Sequence, residues 1–326
     1  MRAFGYTAPA DPATAVRLAA QPGTTYVAGG TDLLNLMRDG AEDHEHLVDI
    51  NRLDLAAVTA DDAGLHVGGL ARMRQVAEDR RVRTGFPVLS QALLASASPQ
   101  VRIMASIGGN LLQRTRCGYF RDPGSACNKR VPGSGCPAVE GQNRMHAVLG
   151  GSPHCIATHP SDLAVALLAL DAVVRVLGPD GARQIPVGEL YREPGDTPHL
   201  ENTLRPGELI TAVDVPGGPL AQRSRYRKLR DRATFEFAVV SVAAAVHLRG
   251  GRVRDVRLAF GGIGTRPWRS PEAEDALRGR ALTAVAVAEA GRALVRGAQP
   301  RQHNAFKVEL VQRALTGALH EWGALR

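Results

Sequence analysis

Apolar positions along this chain switch between a helical period and a strand period, and glycine or proline marks most of the switches. "DPATAVRLAAQ" has apolar residues at helical spacing behind Asp11, a helix-capping residue type. "TTYVAGGTDLLNLMRDG" runs from a short strand through Gly29 and Gly30 into a second helix that ends at Gly40. "HLVDINRL" reads as a strand, and "GLHVGGLARMRQVAEDRRV" repeats the order strand, glycines, helix. "FPVLSQALLASASPQVRIMASIGGNLL" predicts a helix, a break at Pro99 and another glycine pair, Gly108 and Gly109. In "HPSDLAVALLALDAVVRVLGPDGARQIPV", Ser161 or Asp162 caps an apolar helix, and a hairpin turns at "GPDG". "VPGGP" reads as a linker. Beyond it, "FAVVSVAAAVHLRGGRVRDVRLAFGGIG" predicts a long hairpin turning at Gly250 and Gly251. "ALTAVAVAEAGRALVRGA" and "AFKVELVQRALTGALHEW" predict two closing helices. No fixed period repeats. The pattern predicts an α+β protein with an N-terminal domain over residues 1–217 and a smaller C-terminal sheet-and-helix domain over residues 218–326.

Composition narrows the class. The 326 residues have room for two domains, and 44% hydrophobic with 22% charged content is ordinary for a soluble globular protein. The longest clean apolar run, Leu163 to Leu170, is too short to span a bilayer. "MRAFGYTAPADP" has no apolar secretory segment, so folding in the cytoplasm is expected. The net charge is +8, but arginines are scattered and aromatics make up only 4%. No nucleic-acid partner is expected. Steering toward an acidic protein partner accounts for the charge equally well.

Two features carry candidate chemistry. Glycine pairs at 29–30 and 108–109 stand before helices, where backbone N–H groups can turn toward a phosphate. Neither pair belongs to G-x-G-x-x-G or to a P-loop, so the pattern points to a dinucleotide site outside the Rossmann type. The second feature is the placement of cysteine. Cys117, Cys127, Cys136 and Cys155 are the only four, and all lie in one Gly/Pro-rich stretch, residues 113–157. Disulfides are disfavoured in a reducing compartment. Zinc accepts four thiolates, but its common signatures use C-x2-C pairs, absent here. Unrelated buried thiols have no need to cluster. A [4Fe–4S] cluster needs four thiolates, although this spacing is no ferredoxin signature. His146, His154 and His159 are ligand candidates only if a cysteine proves dispensable. Arg114, Arg116, Lys129 and Arg130 would either raise a cluster's potential or stand as solvated loop charges.

"YVAGGTDLLNLM", "ASIGGNL", "PSDLAVALLALDA" and "GELITAVDVP", followed by "RYRKLRDRATFEFAVVSVAAAV" and "LAFGGIGTRPWR", resemble the FAD-binding subunit of the xanthine dehydrogenase/molybdenum hydroxylase family. The resemblance covers essentially the whole chain. It implies a vanillyl-alcohol-oxidase-like FAD-binding domain of two α+β subdomains, plus the smaller C-terminal domain. It assigns Val27, Ala28, Gly29, Gly30, Thr31, Asp32, Leu33 and Leu34 to the pyrophosphate loop. Ala105, Ser106, Ile107, Gly108, Gly109 and Asn110 would form the second wall. Asp162 would meet ribityl or ribose hydroxyls, and Ile210 and Lys228 would lie near the flavin ring. The bland alternative for Lys228 is a solvated basic strand.

"RTRCGYFRD", "ACNKRVPGSGCPAVEGQNRMHAVLG" and "HCIATHPSDLAVAL" further resemble the flavoprotein subunit of bacterial periplasmic aldehyde oxidoreductases, which carries a [4Fe–4S] cluster on such an insertion. That resemblance makes Cys117, Cys127, Cys136 and Cys155 the cluster ligands. It implies an electron-transfer subunit, with FAD and [4Fe–4S] as cofactors. The partners would be a molybdopterin-binding large subunit and a [2Fe–2S] small subunit, in a heterotrimer or a multiple of it. An external acceptor would take the electrons, and the chain alone would oxidise no aldehyde. The sequence by itself places the chain in the cytoplasm, or in the periplasm through co-export with a partner bearing a twin-arginine signal. The competing expectations are a stand-alone vanillyl-alcohol-oxidase-type flavoenzyme with a structural zinc loop, and a scaffold that has lost its cofactor.

Overall fold

Short parallel strands come first. In the computed structural model, which describes residues 1–320 and Trp322, β1 (Gly5–Thr7), β2 (Thr24–Val27) and β3 (His46–Asp49) form a parallel sheet in the order β1-β3-β2. Asp11 Oδ1 accepts the Thr14 N–H at 2.8 Å and starts the Pro12–Ala19 helix, as its position predicts. A second, antiparallel sheet takes the order β4-β5-β8-β6-β7, from β4 (Val58–Ala60), β5 (Gly64–Gly68), β6 (Val173–Gly178), β7 (Gly181–Pro186) and β8 (Leu209–Pro216). The third sheet, β12-β11-β10-β9, is also antiparallel and joins β9 (Ser224–Leu229), β10 (Val240–Arg249), β11 (Arg252–Gly261) and β12 (Trp268–Arg269).

The long hairpin shows why the layers stack as they do. Side chains alternate between the faces of a strand. Val240, Val242, Ala244 and Val246 of β10 share one face with Val253, Val256, Leu258 and Phe260 of β11, and pack on the Ala284–Leu294 and Phe306–His320 helices. The opposite face carries Ala243, Ala245 and Ala259. These small residues let the Asp162–Ala169 helix lie against the sheet. That helix is buried along its whole length and also touches the Pro87–Ala95 helix. Beyond Asp162 its sequence is entirely apolar, the signature of a helix with neighbours on every side. The hairpin turns at Gly250 (φ 57°) and Gly251 (φ 74°), the left-handed pair a two-residue connection demands. "VPGGP" is less a linker than a tight passage: β8 runs to Pro216, and the Pro219–Gln222 helix leads at once into β9.

Residues 113–157 contain one short helix, Gly118–Arg121, and otherwise turns, irregular segments and isolated bridges at Leu149, Ser152 and Cys155. Part of the order of this stretch comes from the C-terminal domain. Val148 and Leu149 join the core of the third sheet, and their N–H groups donate to Ile263 O at 2.8 and 3.0 Å. Asn304 Nδ2 donates to the His146 and Ala147 carbonyls, and the fully buried Lys307 Nζ donates to His146 O (3.0 Å) and Gly262 O (2.7 Å). Burial pulls the Lys307 amine down to about 7. Among the described residues, no helix is long and apolar enough to cross a membrane. Glu321 of the expected last helix and residues 323–326 lie outside the described residues.

Candidate functional site

A cavity of about 970 Å³ lies between the parallel sheet, β8 and β9, at the upper end of the range for small-molecule sites. Val27, Ala28, Gly29, Gly30, Thr31, Asp32 and Leu33 line one wall. Ala105, Ser106, Gly108, Gly109 and Asn110 line another, and Asp162, Ile210 and Lys228 also border it. Two expected residues do not. Leu34 is exposed on the Leu33–Asp39 helix, and Ile107 is turned into the main core.

The glycine pair at 29–30 has two separate local reasons. Gly30 sits at φ +68°, a left-handed conformation that disfavours any side chain. A Cβ on Gly29 would stand 2.0 Å from the Met104 carbonyl oxygen, so that position holds the two walls in contact. On the second wall Ser106 Oγ accepts the Gly109 N–H at 3.2 Å. Asn110 Oδ1 accepts the Ser161 hydroxyl at 2.6 Å, and Ser161 Oγ in turn accepts the Ala164 N–H at 3.0 Å. Ser161, rather than Asp162, is therefore the cap.

Asp162 is spoken for by the protein. Its Oδ1 accepts the Tyr226 hydroxyl at 2.5 Å, and Oδ2 accepts Lys228 Nζ at 2.7 Å and the Ser96 hydroxyl at 2.8 Å. Tyr226 and Lys228 are two residues apart on β9 and so share the face toward the Asp162–Ala169 helix. Lys228 is a buried cation, its side chain 3% exposed beside Asp162 at 5%, and the solvated-strand alternative does not hold. Burial and the adjacent Asp162 push the Tyr226 hydroxyl well above its ordinary range.

Sequence reasoning missed part of the cavity. Ala97 lines it at φ +51°, and Phe235 at φ +52°; "SAS" around Ala97 gives no signal. Phe235 and Phe237, two closely spaced rings in a chain with few aromatics, were a usable clue. Arg116 was noted only as a neighbour of the cysteines. Its guanidinium lines the cavity, lies 5.0 Å over the Phe237 ring, and leaves its buried Nε without a protein partner.

Cys117, Cys127, Cys136 and Cys155 converge on a second, tight pocket of about 10 Å³, shared with Tyr119, Phe120 and His146 among others. All four are free thiols. Among the described residues, no three His, Cys, Asp or Glu side chains are grouped so as to hold a metal ion. A hydrogen bond with Cys155 lowers the Cys136 thiol to about 6, and the same bond, with burial, raises Cys155. Burial lifts Cys117 to about 11. His146 Nε2 lies 3.2 Å from Cys117 Sγ, and burial with Lys307 nearby lowers its imidazole to about 4. His154 borders the pocket as well, whereas His159 packs on Tyr191 with ring centroids 4.3 Å apart.

The nearby cations are not solvated loop charges. Arg114 pairs with Glu42 and with Glu201 (2.7 Å), and Lys129 pairs with Glu201 at 2.7 Å. Arg130 donates to the Tyr119 and Phe120 carbonyls at 2.8 and 2.5 Å. Their carboxylate and carbonyl partners offset much of the field they would otherwise impose on the thiols.

The chain is similar to known proteins along nearly its whole length. A family profile described as "FAD binding domain in molybdopterin dehydrogenase" matches residues 2–218, and "CO dehydrogenase flavoprotein C-terminal domain" matches residues 224–322. The chain is 48% identical, over 98% of each sequence, to the aldehyde oxidoreductase FAD-binding subunit PaoB of Escherichia coli K12. It is 28% identical to the 6-hydroxypseudooxynicotine dehydrogenase complex subunit alpha of Paenarthrobacter nicotinovorans, over 97% of this chain and 95% of that one. A chain of carbon monoxide dehydrogenase from Hydrogenophaga pseudoflava superposes with a TM-score of 0.78 at 23% identity, covering 100% of this chain and 99% of that one. With a mixed helix-and-sheet FAD-binding domain followed by a CO dehydrogenase flavoprotein C-terminal domain, this chain belongs to the family of FAD-binding medium subunits of the xanthine dehydrogenase and carbon monoxide dehydrogenase type.

Proposed function

We propose that the chain is the FAD subunit of a molybdenum-dependent aldehyde oxidoreductase, working with a molybdopterin-binding large subunit and a [2Fe–2S] small subunit. The observation that carries the reading is full-length identity of 48% to an aldehyde oxidoreductase FAD subunit; a large two-walled cavity, lined mostly by residues of the stretch that the FAD-binding profile matches, supports it. The residues present fit FAD. The left-handed Gly30 turn brings backbone to the cavity edge, and the unpartnered Arg116 Nε offers a buried donor beside it. The dinucleotide would lie between two α+β subdomains, in the manner of vanillyl-alcohol oxidases. Bound FAD accepts electrons in pairs and releases them singly or in pairs. The chain's own part is to hold the dinucleotide between the Gly29 and Gly108 walls. It also keeps the Lys228 ammonium fixed by Asp162 and borders the cavity with Phe235 and Phe237.

The same reading gives the cysteine pocket a [4Fe–4S] cluster. Four free thiols on one pocket supply the ligand inventory of such a cluster. Cys117, Cys127, Cys136 and Cys155 would hold the cluster, which would supply one-electron transfer beside the large cavity.

The full chain, purified without oxygen, should contain FAD with about four irons and four sulfides, and should oxidise no aldehyde until its partners are added. One zinc without iron would instead favour the stand-alone flavoenzyme with a zinc loop. Aldehyde turnover by the chain alone would reject the subunit assignment. Cys136→Ser should bleach the broad iron–sulfur absorption and lower the unfolding temperature. An unchanged paramagnetic signal after reduction would remove Cys136 from the ligand set.

A further inference from the structure

The cysteine stretch forms part of the wall of the dinucleotide cavity. Arg114, Arg116 and Arg121 bracket Cys117 in sequence, and all three converge on Asp32, two residues beyond the Gly30 turn. Arg114 donates its backbone N–H at 2.8 Å, Arg121 donates Nη2–H at 2.8 Å, and Arg116 donates Nη1–H. These three donors occupy the carboxylate that the resemblance assigned to the cofactor. Arg116 reaches across the cavity as well, to the Phe237 ring before β10. Phe120 completes the connection. It is fully buried, lies under the Arg114 guanidinium at 4.8 Å, and packs with Leu36, Cys117 and Cys127. It borders both the large cavity and the thiol pocket.

We propose that Arg116 and Arg121, acting through Asp32, are positioning residues that couple the two sites, so that loading the cysteines tightens FAD binding. The physical route is short. Ligation of Cys117 and Cys127 fixes residues 114–121. The fixed arginines then hold Asp32, the Gly29–Gly30 turn and Phe237 in the arrangement the dinucleotide meets. A prearranged site binds without first losing freedom of its own. Linkage makes the effect mutual: FAD stabilises the loaded cysteine site by the same factor. This proposal rests on the FAD and four-thiolate readings above.

The test compares FAD dissociation constants of the full chain before and after the cluster is stripped with ferricyanide and chelator. Iron and sulfide are counted in each sample. Stripping should weaken FAD binding by roughly 10-fold in the unaltered chain, within the usual range of coupling between sites. In Arg116→Met/Arg121→Met the loaded and stripped forms should bind FAD alike. A merely structural role would weaken FAD in both forms and leave their ratio intact. If the double variant fails to fold, Asp32→Asn removes the same charge pairing at nearly constant shape and should also abolish the ratio. An iron-loaded chain whose FAD affinity ignores stripping, or variants that keep the original ratio, overturn the coupling alone. A chain that binds FAD but holds neither iron nor sulfide overturns the cluster reading, and the coupling with it.

Discussion

Gly29→Val should leave the purified chain nearly free of FAD. A Cβ at this position would stand 2.0 Å from Met104 O, 2.6 Å from Met104 C and 3.1 Å from Ala105 N. All three are backbone atoms, so no side-chain rotation relieves the clash. The Gly29 loop must move away from the end of the Pro99–Met104 helix, and that separates the two walls of the cavity. Overpacking of this kind costs about 1–3 kcal/mol in a core. Spent on the binding geometry, 3 kcal/mol is on the order of a 100-fold loss of affinity. The ratio of flavin to protein after gel filtration measures it. Gly85→Ala is the control, because a Cβ there meets nothing within 4 Å and should leave flavin content unchanged. Undiminished FAD in Gly29→Val would displace the dinucleotide from this wall.

The second large effect is on stability. Lys228→Met removes the cation from a pair whose side chains are 3% and 5% exposed, and leaves Asp162 with two hydroxyl donors. Breaking a buried pair from one side costs about 3–5 kcal/mol, because the remaining charge stays desolvated. Urea unfolding of the full chain should therefore show a lower midpoint at an unchanged slope. Adding Asp162→Asn to Lys228→Met should restore part of the loss, since a neutral amide tolerates burial better than an unpaired carboxylate. A double variant less stable than Lys228→Met by the full cost of the Asp162 change would show that the two residues do not interact.

Local chemistry carried much of the fold. The left-handed turn at Gly250–Gly251, the Asp11 cap and the alternation along β10 all act within a few residues, so they can be read from a short window of sequence. The cavity walls were legible for the same reason, as glycines before helices. What escaped depends on distant partners. Nothing near Gly29 announces the Met104 carbonyl, and nothing near Asp32 announces three arginines more than eighty residues away. For Lys228 the resemblance implied a place near the flavin ring and the residues alone a solvated basic strand; neither announced Asp162, 66 positions away. The packing of residues 113–157 was not legible either, because Val148 and Leu149 find their core among residues 239–319.

That docking has an evolutionary corollary. Asn143 accepts the His303 N–H at 3.0 Å, and Asn304 and Lys307 grip the carbonyls that follow it. The cysteine-bearing stretch and the last third of the chain are thus complementary parts, fitted to each other across more than 150 positions. A chimera that imports the stretch into a relative without its matching C-terminal residues would expose two aliphatic side chains and leave the His146 and Ala147 carbonyls without their donors. Lineages should gain or lose the pair together.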